Sequence, residues 1–521
     1  MRKKLTAAIL AAVMSIALIA CGSADPGSTG TQAPSESAEA APAEASAESA
    51  EESNPADWPV IKVEILSFTD AQEKEPEIEQ ALNEYLVSID AGVQADLLPI
   101  AIGDRATTLT LMLADPDNPI DLFGWRFYST VPDMVHNDQI ISLEKYRDVY
   151  PDLWDLFPED VYRTCQVNGE QYSIPGADSF GNFQVYAMRK DVAEEIGVAD
   201  KASTRITLEE LNDILLKAEE AHPELCWHGD TAVLPLQGID NFGETAWLGV
   251  LLNRGVDSHE IINYYASPEF RAYCEQCKWW KDNGMIVDDP LNNTYAGYTL
   301  MNDGVGGGYL FEAYNCEYAL SLMKAQIQYE TIVFQLTDFA GNNSCVYNGW
   351  NISSVCRNPD AAMKLLYLMY TDPQVCRYFT LGIEGLTYKV DENGCAWYAD
   401  GKDVNNVGWN LSAPWFYPNE CLSLPFETDY AGYFSDMAAL WSDDSLKYSE
   451  AMGFVFDKTP VFDQYSACAA IVDEYRTALL MGQVDIDDYL ARFNDELSAN
   501  GIDEIVAEMQ KQFDEFEASK N

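Results

Sequence analysis

Residues 60–68 read VIKVEILSF, and this stretch, with the segments that follow it, decides the fold class. A run of β-branched and aliphatic residues of this length predicts a buried β-strand. It is followed by a helical pattern over 77–86, a second strand over 92–99, a helix near 107–114 and a short buried strand at 120–125. Strands that alternate with helices over short connections indicate an α/β protein with a parallel sheet.

The same alternation continues along the chain. Thr207-Leu-Glu-Glu210 is a capping box and predicts a helix that begins after Thr207. Asn358-Pro359 and Asp372-Pro373 precede apolar segments and predict two more helices. The further predicted strands and extended segments are 171–175, 182–191, 304–311 and 329–336. A chain of 521 residues with this pattern is expected to form two or more lobes.

The chain from Lys447 onward has a mainly helical pattern with two apolar stripes. The stripes are Ile471, Val472, Tyr475, Ala478 and Leu479, and then Ile505, Val506, Met509, Phe513 and Phe516. Stripes of this width are too large to face water. We therefore predict that 447–521 is a helical segment packed on the body of the protein.

The first 20 residues have the three parts of a secretory signal: a basic start, an apolar core and small residues at the end. The core is shorter than the roughly 20 apolar residues that a transmembrane helix needs. Leu18-Ile-Ala-Cys21 resembles the bacterial lipobox, which implies lipidation of Cys21; the alternative is an ordinary secretory signal with a chance cysteine. Residues 22–57 contain no aromatic, basic or large aliphatic residue, so 21–57 is expected to be a lipidated, disordered acidic tether.

The formal net charge is −54, and removal of Arg2, Lys3 and Lys4 with the leader would make it −57. Such a surface repels phosphates, which excludes nucleic acid as a partner. It also repels an anionic membrane surface, so membrane contact is expected through the lipid anchor only. We interpret the charge as a source of solubility rather than as a site for a cationic ligand.

No segment predicts a metal or cofactor site. Cys274 and Cys277 form a C-x-x-C, but both fall on the apolar face of a helix that begins after Ser267-Pro268, where cysteine acts as a small hydrophobe. The acidic segment 114–121 lacks the central glycine and final glutamate of a calcium loop. The glycine run 306–308 lacks the Lys-Ser/Thr of a phosphate loop.

Four segments, in their order, resemble the family 1 extracellular solute-binding proteins, the capture subunits of ABC importers. They are DLFGWRFYSTVPDMVHNDQIISL (121–143), VNGEQYSIPGADSFGNFQVYAMRKDVAEEIGV (167–198), MNDGVGGGYLFEAY (301–314) and NGWNISSVCRNPDAAMKLLYLMYTDPQVCRYF (348–379). The segments LGIEGLTYKVDENG (381–394) and GFVFDKTPV (453–461) are similar to a lipoprotein subgroup with an extra C-terminal domain of uncharacterised role.

The resemblance implies a two-lobed α/β fold of the periplasmic-binding-protein type II, with the lobes joined by hinge crossings and a helical C-terminal extension. In it, 58–175 plus 308–345 form the first lobe and 176–307 plus 346–446 form the second, on which 447–521 packs. The crossings are expected near 176, 304–311 and 349.

The implied function is that of a monomeric lipoprotein on the outer face of the cytoplasmic membrane. It would capture a carbohydrate, as an oligosaccharide, and deliver it to the transmembrane subunits of an ABC permease. Two alternatives stay open: the same fold with a peptide or other small solute, and a secreted glycan-active enzyme. The chain has no G-x-S-x-G and no H-E-x-x-H, so no motif supports an enzyme.

A sugar site needs flat aromatic faces and a few directional polar groups. Residues of these types follow the predicted strands and crossings, where ligands of α/β lobes bind. The predicted ligand-binding residues are Asp70, Trp125, Arg126, Tyr128, Asp178, Phe180, Asn182, Phe183, Tyr309, Trp350 and Asn351. Weaker candidates from aromatic-rich loops are Phe242, Glu244, Trp247 and Trp415.

Overall fold

The fold is that of a computed structural model of the chain. It describes residues 54–68, 72–228, 238–292, 297–411, 413–428, 430–442 and 447–520. The leader, Cys21, most of the predicted tether and Asp70 lie outside these residues. Within the described ranges, no helix is long and apolar enough to cross a membrane.

The first lobe is built on a five-stranded sheet. Its strands, in spatial order, are Gln94–Ala101, Val60–Ser67, Leu122–Gly124, Gly349–Ile352 and Ile174–Pro175. The first three are parallel, and Gly349–Ile352 runs antiparallel to both of its neighbours. The predicted α/β class is confirmed.

Helices pack against this sheet. The helix Glu75–Ser88 buries Ile78, Leu82 and Leu86, which are four residues apart and therefore share one face. They lie in one apolar core with the side chains of the strand Val60–Ser67. The helix Arg105–Leu113 buries its apolar residues in a separate cluster that includes the third strand. The other helices of this lobe are Val131–His136, Pro151–Trp154, Glu159–Arg163, Pro359–Thr371 and Pro373–Thr380.

The capping predictions can be checked at single hydrogen bonds. Thr207 Oγ1 accepts from the backbone N–H of Glu210 at 3.1 Å, and Glu210 accepts from the backbone N–H of Thr207 at 2.9 Å. This confirms the capping box. Asp372 also caps its helix through its carboxylate. The helix predicted after Asn358-Pro359 begins at Pro359, and Asn358 occupies its N-cap position without a side-chain hydrogen bond to it.

The second lobe is built on an antiparallel sheet of Gly308–Ala313, Phe183–Arg189 and Thr331–Gln335, in that spatial order. Its helices are Lys190–Glu195, Leu208–Ala221, Pro268–Asp282, Gly297–Asn302 and Cys316–Gln326. Cys274 and Cys277 are fully buried on the apolar face of the helix Pro268–Asp282. The second lobe also has the short strand pair Gly249–Leu251 with Ile261–Asn263. Two further short pairs belong to the first lobe: Gln166–Val167 with Glu170–Gln171, and Tyr388–Val390 with Ala396–Tyr398.

The strand pairing contradicts the predicted division of the lobes. Residues 308–345, expected in the first lobe, supply two strands of the second sheet. Residues 346–446, expected in the second lobe, supply the strand Gly349–Ile352 and two long helices to the first. The first lobe is therefore about 58–178 plus 346–441, and no crossing occurs at 304–311. The predicted strands are real, but their pattern does not identify their partners.

The C-terminal helices are Phe462–Leu480, Ile486–Ala499 and Ile502–Ser519. Their buried side chains, such as Val472 and Phe513, belong to one apolar cluster with those of the second lobe. The C-terminal segment therefore completes the core of the second lobe.

Three described stretches of chain lie between the lobes, near 176–182, 336–348 and 447–454. The second and third are joined: Ala340–Gly341 pairs with Lys447–Tyr448, and the Asn343 side chain donates to the carbonyl of Ala451 at 2.7 Å. In the third crossing, Met452 is buried in the core of the first lobe. The C-terminal segment thus enters the second lobe through the hinge.

Candidate ligand-binding site

Loops of the first lobe, the crossings and one face of the second lobe meet at a single place. We call the polar and aromatic side chains gathered there the interlobe cluster. Its members are Arg126, Phe127, Asp178, Asn182, Glu312, Tyr318, Tyr347, Trp415, Glu420 and Tyr433. They come from the end of the strand Leu122–Gly124, from the first and second crossings, and from elements that face each other across the lobes.

Arg126 lies within a cage of three aromatic rings. Its guanidinium carbon is 4.0 Å from the ring centroid of Tyr347, 4.8 Å from that of Phe127 and 4.9 Å from that of Trp415. Burial lowers the pKa of Arg126, while Tyr347 and Asp178 oppose that change. The cage still reaches solvent, because Phe127 is 42% exposed and both Tyr347 and Trp415 are half-buried.

Phe127 has a φ angle of 59°, in the left-handed region that glycine prefers. Its ring packs edge-to-face on Trp415, with the centroids 6.0 Å apart. Backbone strain of this kind persists where the surrounding structure fixes it, and it is concentrated at functional sites. The strained turn directs the Phe127 ring toward Trp415.

Two carboxyl groups lie beside the cage. Asp178 accepts hydrogen bonds from the backbone N–H of Ser179 at 2.6 Å and from its hydroxyl at 3.0 Å. Burial raises the pKa of Asp178, and hydrogen bonds from Tyr347 and Ser179 oppose the rise. Burial also raises the pKa of Glu420 well above its ordinary value, and the negative charge of Asp178 adds to it. These carboxyls are therefore easier to protonate than exposed ones and can then donate hydrogen bonds.

The second lobe contributes polar and aromatic groups of its own. Glu312, on the strand Gly308–Ala313, accepts from the side-chain amide of Asn182 at 2.9 Å. Loss of surrounding water raises the pKa of Glu312, although its side chain still reaches solvent. Tyr318, on the helix Cys316–Gln326 of the second lobe, packs its ring on that of Tyr433 of the first lobe, with the centroids 5.1 Å apart. Both lobes therefore present groups to the same space.

This combination suits a ring compound with apolar faces and a rim of hydroxyl groups. Aromatic faces can stack on the apolar faces of such a ring. Carboxyl, amide, hydroxyl and guanidinium groups can then fix its orientation through hydrogen bonds. Because the groups come from both lobes, closure of the lobes on the ring would enclose it.

The structure brings together three of the residues predicted from the sequence: Arg126, Asp178 and Asn182. Tyr128 lies outside the cage, where its hydroxyl accepts from Gln139 at 2.9 Å and its ring packs on Phe123. Trp125 is half-buried in an apolar cluster of the first lobe, and its backbone N–H donates to the carbonyl of Gly349 at 3.0 Å. Within the cage, the flat indole ring beside Arg126 is that of Trp415.

Five other residues predicted as ligand contacts lie in the cores of the two lobes. Phe180, Trp350 and Asn351 are fully buried in the first lobe, and Phe183 and Tyr309 are each only 6% exposed in the second. Trp350 donates through its indole N–H to the carbonyl of Phe416 at 2.9 Å, and Asn351 donates to the carbonyl of Phe123 at 3.2 Å. These residues hold the sheet and the loops together.

Trp350 gives a direct test of that assignment. We expect Trp350→Ala to lower the free energy of unfolding by about 3–5 kcal/mol, because it empties a large volume in a packed core. Urea denaturation followed by circular dichroism measures the loss. A variant as stable as the wild type would contradict the assignment of Trp350 to the core.

Six members of the interlobe cluster were not among the predicted ligand-binding residues, and Trp415 was only a weaker candidate; the six are Phe127, Glu312, Tyr318, Tyr347, Glu420 and Tyr433. The sequence carries one usable signal, for Trp415: the run Ala413-Pro-Trp-Phe-Tyr417 concentrates aromatic residues around the short 3₁₀ helix Pro414–Phe416. The approach of Tyr347 and Trp415 to Arg126 depends on contacts between parts of the chain that are more than 200 residues apart.

An open groove of about 650 Å³ lies elsewhere, between His259–Ile261 and the helix Ile502–Ser519. Its lining is acidic and aliphatic, and it includes no Phe, Tyr or Trp. A groove without flat aromatic faces is a poor site for a sugar ring. Among the described residues, no group of three or more His, Cys, Asp or Glu side chains could hold a metal ion.

Comparison with known proteins agrees with the two-lobed fold. A curated "Carbohydrate ABC transporter substrate-binding protein" from Streptococcus pneumoniae serotype 4 is 23% identical over 476 residues, which cover 83% of this chain and 93% of that protein. The crystal structure of the N-glycan transport solute binding protein (NgtS) from S. pneumoniae superimposes with a TM-score of 0.75. It is 20% identical and covers 89% of this chain and 100% of that one. The chain has the two-lobed fold of the solute-binding proteins.

Two further comparisons complete this result. The structure of the same NgtS protein in complex with Man5GlcNAc superimposes with a TM-score of 0.66, at 20% identity and over 89% of this chain and 99% of that one. Residues 450–518 match the family "Domain of unknown function (DUF3502)". The resemblance to solute-binding proteins with an extra, uncharacterised C-terminal domain is therefore confirmed.

Proposed function

We propose that this protein is the extracytoplasmic solute-binding lipoprotein of an ABC importer and that it captures an oligosaccharide between its two lobes. The observation that carries the proposal is the cage of Phe127, Tyr347 and Trp415 around Arg126, beside the carboxyls of Asp178 and Glu420. The protein acts as a binding subunit and not as an enzyme, and it delivers the solute as a monomer to the transmembrane subunits of a permease.

The similar proteins support a carbohydrate over other solutes. The curated relative is named for carbohydrate transport, and the S. pneumoniae structures are named for an N-glycan transport protein and its complexes with mannose-containing glycans. The present structure superimposes on the NgtS structure with a TM-score of 0.75 and on the NgtS complex with Man5GlcNAc with a TM-score of 0.66. A difference of this kind is what movement of two lobes on a hinge would produce.

Thermal unfolding with a panel of solutes tests the proposal. A ligand that binds only the folded state stabilises it, by about 2.7 kcal/mol at a concentration one hundred times the dissociation constant. We expect Man5GlcNAc or a related neutral oligosaccharide to raise the melting temperature, and calorimetry to give a 1:1 complex. A rise with peptides or polyamines and none with any glycan would overturn the carbohydrate assignment. Analysis of the recovered glycan would reveal hydrolysis, which the enzyme alternative requires.

The lipid anchor is a separate part of the proposal. The basic start, apolar core and Leu18-Ile-Ala-Cys21 support lipidation of Cys21. A coil of the length of 22–57 would let the body move on the order of 30 Å from its anchor. We expect Cys21→Ala to leave the protein unprocessed or to release it from the membrane fraction, as seen by fractionation and the mass of the mature chain. Unchanged processing and attachment would contradict the anchor.

A further inference from the structure

A charged pair lies in the interior of the first lobe, below the interlobe cluster. Glu64 is in the middle of the strand Val60–Ser67, and Arg105 is the first residue of the helix Arg105–Leu113. Neither residue has exposed surface. Arg105 donates to both carboxylate oxygens of Glu64, through Nε to Oε1 and through Nη2 to Oε2 at 3.0 Å. Glu64 is the one carboxylate of this strand.

The remaining donors of Arg105 bind the loop that carries Arg126. Nη2 donates to the carbonyl of Gly124 at 2.5 Å, and Nη1 donates to the carbonyl of Arg126 at 2.6 Å. Glu64 in turn accepts from the backbone N–H of Gly124 at 3.2 Å. Three backbone groups on either side of Trp125 are thus held by one ion pair. These bonds fix the direction in which the chain leaves the strand and enters the strained turn at Phe127.

The same guanidinium also contacts the opposite wall of the cage. Its carbon lies 5.1 Å from the ring centroid of Phe416, a contact of the cation–π type. Phe416 follows Trp415 directly, and the two rings pack edge-to-face. The ring of Phe416 also approaches Gly124 so closely that a Cβ there would lie 2.8 Å from it. Arg105 therefore touches both loops that form the cage.

We infer that Glu64 and Arg105 are positioning residues for solute binding: they hold the Arg126 loop and the Trp415 loop in register while touching no solute themselves. This inference rests on the proposed function, because the cage it positions is the proposed sugar site. A buried ion pair is by itself weak evidence for stability, because it can often be replaced by apolar residues of similar volume without loss of stability. The role that we infer for this pair is therefore the positioning of the two loops.

A double variant separates positioning from folding. Glu64→Leu with Arg105→Met removes both charges together, so no buried charge is left without a partner. We expect it to fold, with a melting temperature lowered by the loss of hydrogen-bond partners for three backbone groups. Without its three anchors, however, the backbone of 122–128 should exchange its amide hydrogens at least tenfold faster. The affinity for the oligosaccharide should fall at least tenfold.

Matched variants test whether the effect belongs to the loops. Arg105→Lys keeps the charge beside Glu64 but offers one nitrogen in place of three, so its exchange rate and affinity should fall between those of the wild type and the double variant. Asn83→Leu is the control. Asn83 also anchors the backbone of this lobe, with two hydrogen bonds of 2.8 Å to Ala95, but it does not contact either loop. It should leave exchange at 122–128 and glycan affinity unchanged.

The two readouts distinguish failure of this inference from failure of the proposed function. Unchanged exchange at 122–128 in the double variant, or in Arg105→Lys should the double variant not fold, would overturn the positioning role. Faster exchange with wild-type glycan affinity would also overturn it, because the loops would then be held for no purpose in binding. If the wild-type protein binds no glycan, the proposed function fails, and the exchange measurement still decides whether the pair fixes the loops.

Discussion

Replacing Trp415 by alanine should weaken oligosaccharide binding by about a hundredfold while leaving the fold intact. The indole lies 4.9 Å from the Arg126 guanidinium and packs on Phe127 and Phe68, yet it remains half-buried. An aromatic ring that stacks on a bound sugar and is lost on truncation costs about 3 kcal/mol. Each 1.4 kcal/mol is a factor of about ten in the dissociation constant, which gives the expected size of the effect.

Calorimetry with the purified variant measures this change, and Trp397→Ala is the matched control. Trp397 is another half-buried tryptophan of the first lobe, but it lies in the hairpin 388–398 and donates to Asp391 at 3.0 Å. Its loss should leave the affinity within a factor of two or three, which is the size of ordinary context effects. Wild-type affinity for Trp415→Ala would remove this ring from the site. An unfolded variant would assign it to the core.

The sequence predicted the first three strands well because each depends on local pattern alone. Val60–Ser67 is a largely buried run before a clear helical segment, and Leu122–Gly124 is a buried run that follows another. Their parallel pairing follows from the helices that connect the strands. The assignment of later strands to lobes failed for a different reason. Gly349–Ile352 is buried at all four positions, and a run of that kind has the same pattern in either sheet. Only contacts distant in sequence decide its partner.

The site was predicted only as far as position along a strand or crossing could indicate it. Arg126 follows a strand end and Asp178 follows a crossing, and both belong to the interlobe cluster. Trp350 and Phe180 occupy similar positions, but their side chains turn into the core. An aromatic residue next to a crossing has the same local sequence in both cases. Burial separates them, and burial depends on packing with residues such as Phe416 and Trp441 far along the chain.

The C-terminal domain of unknown function is the part whose contribution can be argued most directly from packing. Its buried residues and those of the second lobe form a single apolar cluster. Phe454, at the start of the domain, packs on Phe242 of the second lobe with the ring centroids 5.2 Å apart. Lys458 and Tyr465 both bind the carboxylate of Glu244. The domain thus shares one apolar core with the lobe on which it packs.

Phe513→Ala should therefore lower the free energy of unfolding of the second lobe by about 3–5 kcal/mol, the usual cost of truncating a fully buried phenylalanine. Phe513 has no exposed surface, and its ring contacts those of Phe454 at 5.4 Å and Phe242 at 6.2 Å. The control is Phe516→Ala, one turn later on the same helix and only half-buried, which should cost clearly less. Urea denaturation followed by near-ultraviolet circular dichroism measures both. Equal losses in the two variants would contradict the shared core, because they would show that depth of burial in the second lobe does not determine the contribution of this helix.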